Sequence, residues 1–150
     1  MVAASTRWSI YAGSAAFIAG AVAVGSLGAI ARTLSTVLGL PTGDAAILLP
    51  APGAVLGGVV WWAVVERRAA VDYPSGAAAG CLTAVLTVGV WTLLVALVYG
   101  PGVIFVGETL LVIAIAVVVT TPFGAVMGVA VTAARRLGRV DPADSSSGVE

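Results

Sequence analysis

Four long apolar stretches dominate the sequence and leave few folds open to the chain. They cover residues 8–31, 45–65, 75–98 and 109–134, and short polar or turn-rich pieces separate them. None of the four contains a charged residue. Each is about 20 residues or longer, which at about 1.5 Å per residue lets a helix cross a hydrocarbon core of about 30 Å. The pattern predicts four transmembrane helices.

The composition points the same way. Of the 150 residues, 60% are hydrophobic and 9% are charged, whereas soluble domains carry about 25% charged residues. A soluble domain of this size cannot bury so much apolar surface. Helices are favoured over strands because lipid offers no hydrogen-bond partner to an open backbone, and a closed barrel needs more strands than this chain supplies. We predict an all-α polytopic membrane domain over residues 1–140, followed by a disordered cytoplasmic tail at 141–150.

Several residue types are missing, and their absence excludes whole classes of chemistry. The chain has no histidine, which rules out a Ser-His-Asp triad and a histidine-ligated metal site within it. Cys81 is the only cysteine, so no intrachain disulfide can form, and we expect it to be a small core residue. The formal net charge is zero, so nucleic acid is not an expected partner. We expect no enzymatic activity and no cofactor.

The arginines predict the orientation of the chain. With four spans, the N-terminus, the second loop and the C-terminus share one side, which holds Arg7, Arg67, Arg68, Arg135, Arg136 and Arg139. The other side holds only Arg32. The positive-inside rule then places both termini in the cytoplasm. The first stretch also resembles a signal peptide that ends at 29–31, but its apolar part exceeds the usual length of about 7–15 residues. We therefore expect it to remain as a helix.

Two segments of the sequence look alike. Residues 52–57 (Pro-Gly-Ala-Val-Leu-Gly) match residues 122–128 (Pro-Phe-Gly-Ala-Val-Met-Gly) with one residue inserted, and an arginine pair follows each, at 67–68 and at 135–136. This similarity predicts that a two-helix hairpin is duplicated in tandem, with the copies related by an axis along the membrane normal. The alternative is chance similarity between two helices rich in Ala, Gly and Val.

Glycines recur at a spacing of four residues in three of the predicted helices. The pairs are Gly53 and Gly57, Gly76 and Gly80, and Gly124 and Gly128. Four residues make about one helical turn, so each pair forms a flat stripe on which another backbone can approach closely. We predict that these stripes pack the helices of one bundle together. The alternative is that they form a seam between copies of the chain.

Two prolines mark a candidate solute site. Pro52 and Pro122 fall inside the second and fourth predicted helices, where each removes a backbone N–H, frees a carbonyl and bends its helix. Thr120 and Thr121 could offer replacement hydroxyls. Because paired interruptions in repeated halves point to transporter sites, we predict a solute layer of Pro52, Thr120, Thr121 and Pro122. The alternative is that these residues are structural, since Pro and Gly are ordinary in membrane helices.

Three charged residues are predicted to lie at the outer mouth of the bundle. Asp44 and Glu108 precede or begin apolar stretches, where a carboxylate suits the N-terminus of a helix. Arg32 follows the first stretch, in a mixed segment at 32–43 that we expect along the membrane surface. We interpret the three as an outer polar cap. They do not suggest a proton relay, because no stretch carries an internal carboxylate.

The layout resembles that of small four-helix membrane proteins of halophilic archaea. The resemblance rests on a basic set made only of arginine, on helices rich in Ala, Val and Gly, and on an Asp/Ser-rich tail. It is one of composition and layout, and it implies no particular activity. Small multidrug carriers also have four helices, but their first helix holds a glutamate that is missing here. Fluoride channels use an asparagine, and this chain has none.

We therefore expect a non-enzymatic membrane component, with membrane lipid and either a second copy or other membrane subunits as partners. The alternative is a small channel or carrier for a small neutral solute. A central cavity that is open to one side and lined by threonines would favour the alternative. A dry interior packed with Gly and Ala would favour the membrane component.

Overall fold

A computed structural model describes the backbone of residues 2–38, 43–69 and 71–138, and the side chains of most of them. Its four long helices are α1 (Val2–Leu38), α2 (Ala51–Trp61), α3 (Tyr73–Tyr99) and α4 (Gly107–Leu137). Short 3-10 helices at Gly43–Leu48 and Pro101–Phe105 precede α2 and α4, and a π-helix at Trp62–Glu66 extends α2. No strand occurs in these three ranges. The all-α prediction is confirmed.

Four helical segments are long and apolar enough to cross a membrane. They are Thr6–Ser26, Asp44–Glu66, Tyr73–Tyr99 and Gly107–Leu137. Many of their large side chains point away from the bundle, and Val55, Leu97 and Val118 are each 70–72% exposed. Soluble monomers rarely expose an apolar surface of this extent. The sequence prediction of four helices able to span a membrane is confirmed.

Helix α1 is longer than predicted. It continues from the expected end at residue 31 to Leu38, so most of the mixed segment at 32–43 extends the helix. The reason is local, since the sequence from Arg32 to Leu38 contains neither Gly nor Pro to end a helix. Residues 39–42 and the tail at 141–150 lie outside the described residues.

The second predicted helix, 45–65, is divided in the structure. Its α-helical part begins only at Ala51, with Pro50 at the N-cap and Pro52 in the first turn. Proline is favoured there because the first turn makes no use of its missing N–H. At the break, the Leu49 carbonyl accepts a hydrogen bond of 2.7 Å from the indole Nε1 of Trp91 on α3. The break therefore leaves this carbonyl with a partner.

Helices α3 and α4 lie close to their predicted ranges of 75–98 and 109–134. Asp72 caps α3, and its carboxylate accepts a hydrogen bond of 2.7 Å from the backbone N–H of Ser75. This bond holds the pKa of Asp72 below its ordinary value, because it stabilises the ionised carboxylate. At the other end, α3 stops at Gly100, whose φ of 91° is a conformation that glycine adopts without strain.

The four helices form a ring in which each packs on the next. Helix α1 contacts α2, α2 contacts α3, α3 contacts α4, and α4 contacts α1. Helices α2 and α4 therefore face each other across one diagonal. We call the end that carries Arg67, Arg68, Arg135 and Arg136 the arginine end, and the end that carries Asp44 and Glu108 the acidic end. At each end, the fold brings together residues that are far apart in the sequence.

Candidate functional site

Two glycine seams hold the ring together, and the closer one joins α3 to α4. A Cβ atom added at Gly76 or Gly80 would collide with the backbone carbonyl of Gly128 or Gly124, and the reverse substitutions would collide in the same way. Only hydrogen fits at these four positions. The helices can therefore approach until their backbones touch, which maximises van der Waals contact.

The second seam joins α1 to α2. A Cβ atom at Gly57 would lie 2.8 Å from the Cβ of Ala16 and 3.3 Å from the carbonyl oxygen of Ala12. One turn away, a Cβ atom at Gly53 would lie 3.3 Å from the hydroxyl oxygen of Thr87 on α3. All six glycines predicted to pack helices thus lie at contacts within this bundle.

A central cavity of about 90 Å³ lies between the four helices. Small side chains line most of it, and the larger ones belong to Trp61, Phe123 and Met127. Its hydroxyl-bearing residues are Thr83 and Thr87 on α3 and Thr120 on α4. None of the described residues that line it is charged. The seams explain the cavity, because alanine and glycine let the helices touch in pairs but do not fill the space in the middle.

The three cavity threonines donate their hydroxyl protons to their own helices. Thr83 bonds to the Ala79 carbonyl at 2.8 Å, and Thr87 bonds to the Thr83 carbonyl at 2.8 Å. Thr120 bonds to the Ala116 carbonyl at 2.7 Å. A hydroxyl has one proton to donate but two lone pairs to accept with. These hydroxyls can therefore still accept hydrogen bonds, but they have no proton left to donate.

The predicted solute layer is only partly assembled. Thr120 lines the cavity, but Pro52, Thr121 and Pro122 do not. The Thr121 hydroxyl donates to the Val117 carbonyl at 2.6 Å. Pro122 lies midway along α4, and its side chain is exposed. The expectation that Pro52 lies inside a helix is wrong, because α2 begins one residue before it and the break falls at residues 49–50.

The outer polar cap is described only in part. Asp44 lies in the first turn of the 3-10 helix that precedes α2, and Glu108 lies in the first turn of α4. Both are exposed at the acidic end. Arg32 belongs to α1, but its side chain lies outside the described part of the structure.

Sequence reasoning missed a buried ion pair at the arginine end. Arg135 Nη1 donates to Glu66 Oε1, and Nη2 donates to Oε2 at 2.9 Å. The indole Nε1 of Trp61 donates to the same Glu66 Oε1 at 3.2 Å. The side chains of Arg135 and Glu66 are only 10% and 7% exposed. Two parallel bonds from one guanidinium make this the strong, geometrically specific form of a salt bridge.

At the arginine end, the ion pair joins two helices that face each other across a diagonal of the ring. Glu66 ends the π-helix that extends α2, and Arg135 lies on α4 at the opposite corner of the ring. Trp61 is 2% exposed and also lines the central cavity. Its indole therefore forms part of the cavity wall toward the arginine end, which we call the floor, and its N–H is bonded to the ion pair. A π-helix within an α-helix is rare and often occurs at functional sites.

Two further arginines at this end lie over aromatic rings. The guanidinium carbon of Arg67 is 5.9 Å from the ring centre of Trp62, and that of Arg136 is 4.9 Å from the ring centre of Tyr73. Both distances suit a cation–π interaction. All four residues are exposed, so these contacts lie on the outside of the arginine end.

Comparison of the chain with protein-family models, with curated proteins and with solved structures finds no match. The resemblance to small membrane proteins of halophilic archaea therefore stays a prediction.

Proposed function

We propose that the chain is a non-enzymatic integral membrane protein that serves as a structural component or subunit of a larger membrane complex. One observation carries this proposal. Among the described residues, every buried side-chain nitrogen or oxygen already has a hydrogen-bond partner within the protein. The cavity threonines bond to their own helices, and Glu66 bonds to Arg135 and Trp61. No nucleophile paired with a base remains for catalysis among these residues.

The exposed apolar surface supports membrane insertion, because lipid would cover it. The arginine end supports a cytoplasmic location for both termini. An excess of arginine is typical of the cytoplasmic side, and Trp and Tyr rings are typical of either membrane interface. This end holds Trp62, Tyr73 and their arginines. The proposed orientation places Asp44 and Glu108 outside the cell.

Cysteine labelling in intact cells tests the orientation. Cys81 is first replaced by Ala, and single cysteines are then introduced at Ser35 and Ser146. A membrane-impermeant maleimide should label position 35 from outside, and it should label position 146 only after the cells are opened. Labelling of position 146 in sealed cells would reverse the orientation.

Purification in mild detergent, followed by native mass spectrometry, tests the role as a subunit. We expect the chain to leave the membrane with a second copy or with another membrane protein. A strictly monomeric chain without any partner would contradict the proposal. Gly25→Leu is a control for the fold. It should leave the bundle intact, because a Cβ atom added at Gly25 would meet no neighbouring atom within 4 Å.

We also propose that the bundle arose by tandem duplication of a hairpin, and the two seams support this idea. Gly57 meets Ala12 and Ala16 of α1 in the way that Gly128 meets Gly76 and Gly80 of α3. The ion pair is an exception to this symmetry, because it joins Glu66 to Arg135 only once. Duplication followed by divergence at the arginine end accounts for both features.

A second candidate function is a channel or carrier for a small neutral solute. The central cavity favours it, because three threonine hydroxyls line a space that contains no described charge. Stopped-flow measurements on proteoliposomes provide the test. Faster uptake of a small neutral solute than in protein-free vesicles would support transport. Equal rates would leave the membrane component as the function.

A further inference from the structure

We infer that the central cavity is a binding site for a small neutral molecule with an apolar body and one hydrogen-bond donor, of the size of a short-chain alcohol. The inference rests on the chain being the membrane protein proposed above, but it does not require that the protein transports anything. Three properties of the cavity carry it, namely its size, the chemistry of its lining and the engaged N–H of Trp61 at its arginine end.

The size of the cavity sets the size of the occupant. Protein interiors contain few voids larger than a water molecule, because the atoms that line a void lose their contacts. A space of about 90 Å³ between four helices has room for a few water molecules or for one molecule of a few heavy atoms. An occupant of that size would restore the contacts that the small side chains leave unmade.

The lining excludes charged occupants. No described residue of the lining is charged, so an ion would lose its hydration without gaining a counter-charge. Glu66 is the carboxylate held under the floor, and both of its oxygens already accept hydrogen bonds from Arg135. Arg135 in turn directs its guanidinium to Glu66. The cavity therefore favours neutral molecules.

The threonines select for a hydrogen-bond donor. Thr83, Thr87 and Thr120 have given their protons to backbone carbonyls, so a ligand meets only acceptor oxygens. Gly53 lies opposite Thr87 and has no side chain with which to cover the Thr87 hydroxyl oxygen. A molecule with one O–H or N–H group can donate there, while its apolar part contacts the alanines. A molecule that only accepts hydrogen bonds gains nothing from these groups.

The floor offers a ligand an apolar ring without a free hydrogen-bond donor. Trp61 lines the cavity with an almost fully buried ring, and its Nε1 is engaged with Glu66. The indole N–H is therefore not available to a ligand. The ligand's polar group is expected at the threonines, and its apolar part is expected against alanine and the Trp61 ring.

Photolabelling of the full chain in nanodiscs tests the inference. The probe is a short aliphatic alcohol that carries a diazirine, and mass spectrometry locates the labelled peptides. We expect saturable labelling of the cavity-lining parts of α1 and α3, and we expect excess 1-propanol to suppress it. Labelling that is confined to lipid-facing positions, or that propanol does not suppress, would overturn the inference.

Two matched substitutions on α3 provide the control. Val88 lines the cavity, whereas Val85 is exposed and does not line it. Val88→Phe should fill the cavity and lower the labelling about ten-fold, while Val85→Phe should leave it unchanged. Equal labelling of the two variants would overturn the inference. Val88→Leu and Val85→Leu make the same comparison with less added volume if Val88→Phe does not fold.

The double variant Thr83→Val/Thr87→Val tests the hydrogen bond, because valine keeps the shape and removes the hydroxyl oxygens. The propanol concentration that halves the labelling should rise about 2- to 12-fold, which is the usual range for one lost hydrogen bond. Competition by butane should not change. An unchanged propanol concentration would refute the donor requirement. Saturable binding in vesicles that show no solute uptake would support the binding site and exclude the carrier. The binding site and the transport function can therefore be refuted independently.

Discussion

Arg135 of α4 binds both carboxylate oxygens of Glu66, although the two residues stand on opposite corners of the helical ring. The pair thereby connects two helices that otherwise have little contact. Taking both charges out of water is costly, and their mutual attraction offsets that cost only while both are present. The pair consequently adds little net stability, but it makes the arrangement in which Glu66 meets Arg135 more favourable than arrangements that separate them.

Glu66→Gln should destabilise the bundle by about 3 kcal/mol, because it leaves the Arg135 guanidinium buried without a counter-charge. The double variant Glu66→Gln/Arg135→Met should recover much of that loss, since both charges are then gone. Steric trapping in micelles or bicelles measures the free energy of unfolding. Arg136→Met is the control, because Arg136 is exposed. A double variant no more stable than Glu66→Gln alone would contradict this account.

Gly128→Leu and Gly57→Leu should each destabilise the bundle by about 1–3 kcal/mol or more, because each side chain would push two touching helices apart. Gly89→Leu is the matched control, since a Cβ atom added at Gly89 would meet no neighbouring atom within 4 Å. Thermal unfolding followed by circular dichroism in detergent compares the three variants. Equal melting temperatures for Gly128→Leu and Gly89→Leu would show that the α3–α4 seam is not where the structure places it.

The two prolines should respond differently to replacement by alanine. Pro122→Ala restores a hydrogen bond inside α4, so it should stabilise the helix by up to about 3 kcal/mol. Pro52→Ala changes the first turn of α2, where no helical bond is missing, so its effect should stay within about 0.5 kcal/mol. The free energies of unfolding of the two variants decide the matter. A large gain for Pro52→Ala would mean that α2 begins earlier than Ala51.

Trp91→Phe should cost about 1–3 kcal/mol, because it leaves the Leu49 carbonyl without its donor in a half-buried position. Hydrogen–deuterium exchange should become faster at the 3-10 helix Gly43–Leu48 and at the start of α2. Trp62→Phe is the control, since Trp62 is exposed and its ring lies under the exposed guanidinium of Arg67. Exchange that stays the same in Trp91→Phe would argue against this bond.

The four spans can be predicted because their length and lack of charge are themselves the physical requirement for crossing a membrane. The start of α2 is harder to locate. The apolar stretch is continuous from residue 45 to residue 65, so hydropathy alone predicts one helix. The α-helix begins only at Ala51, beside Pro50 and Pro52. The same is true of α1, where polar residues after Arg32 are compatible with a helix that continues to Leu38.

The candidate site is less accessible to sequence reasoning. Thr120 can be found because it neighbours Pro122, but Thr83 and Thr87 reach the cavity through the packing of α3 in the ring. Their spacing of one helical turn is a usable signal. In the sequence, Glu66 looks like part of a polar stop beside Arg67 and Arg68. Its pairing with Arg135 depends on the register of two distant helices and on the π-helix, and neither leaves a local mark in the sequence.

The separation of Glu66 and Arg135 along the chain also sets an order of assembly in time. Glu66 leaves the ribosome 69 residues ahead of Arg135, which at about 5–20 residues per second corresponds to roughly 3–14 s of synthesis. During that interval, only one of the two partners of the carboxylate has been made, namely Trp61, which lies five residues before it. The first three helices can therefore associate early, but the Glu66–Arg135 ion pair forms only when the last helix has been made and inserted.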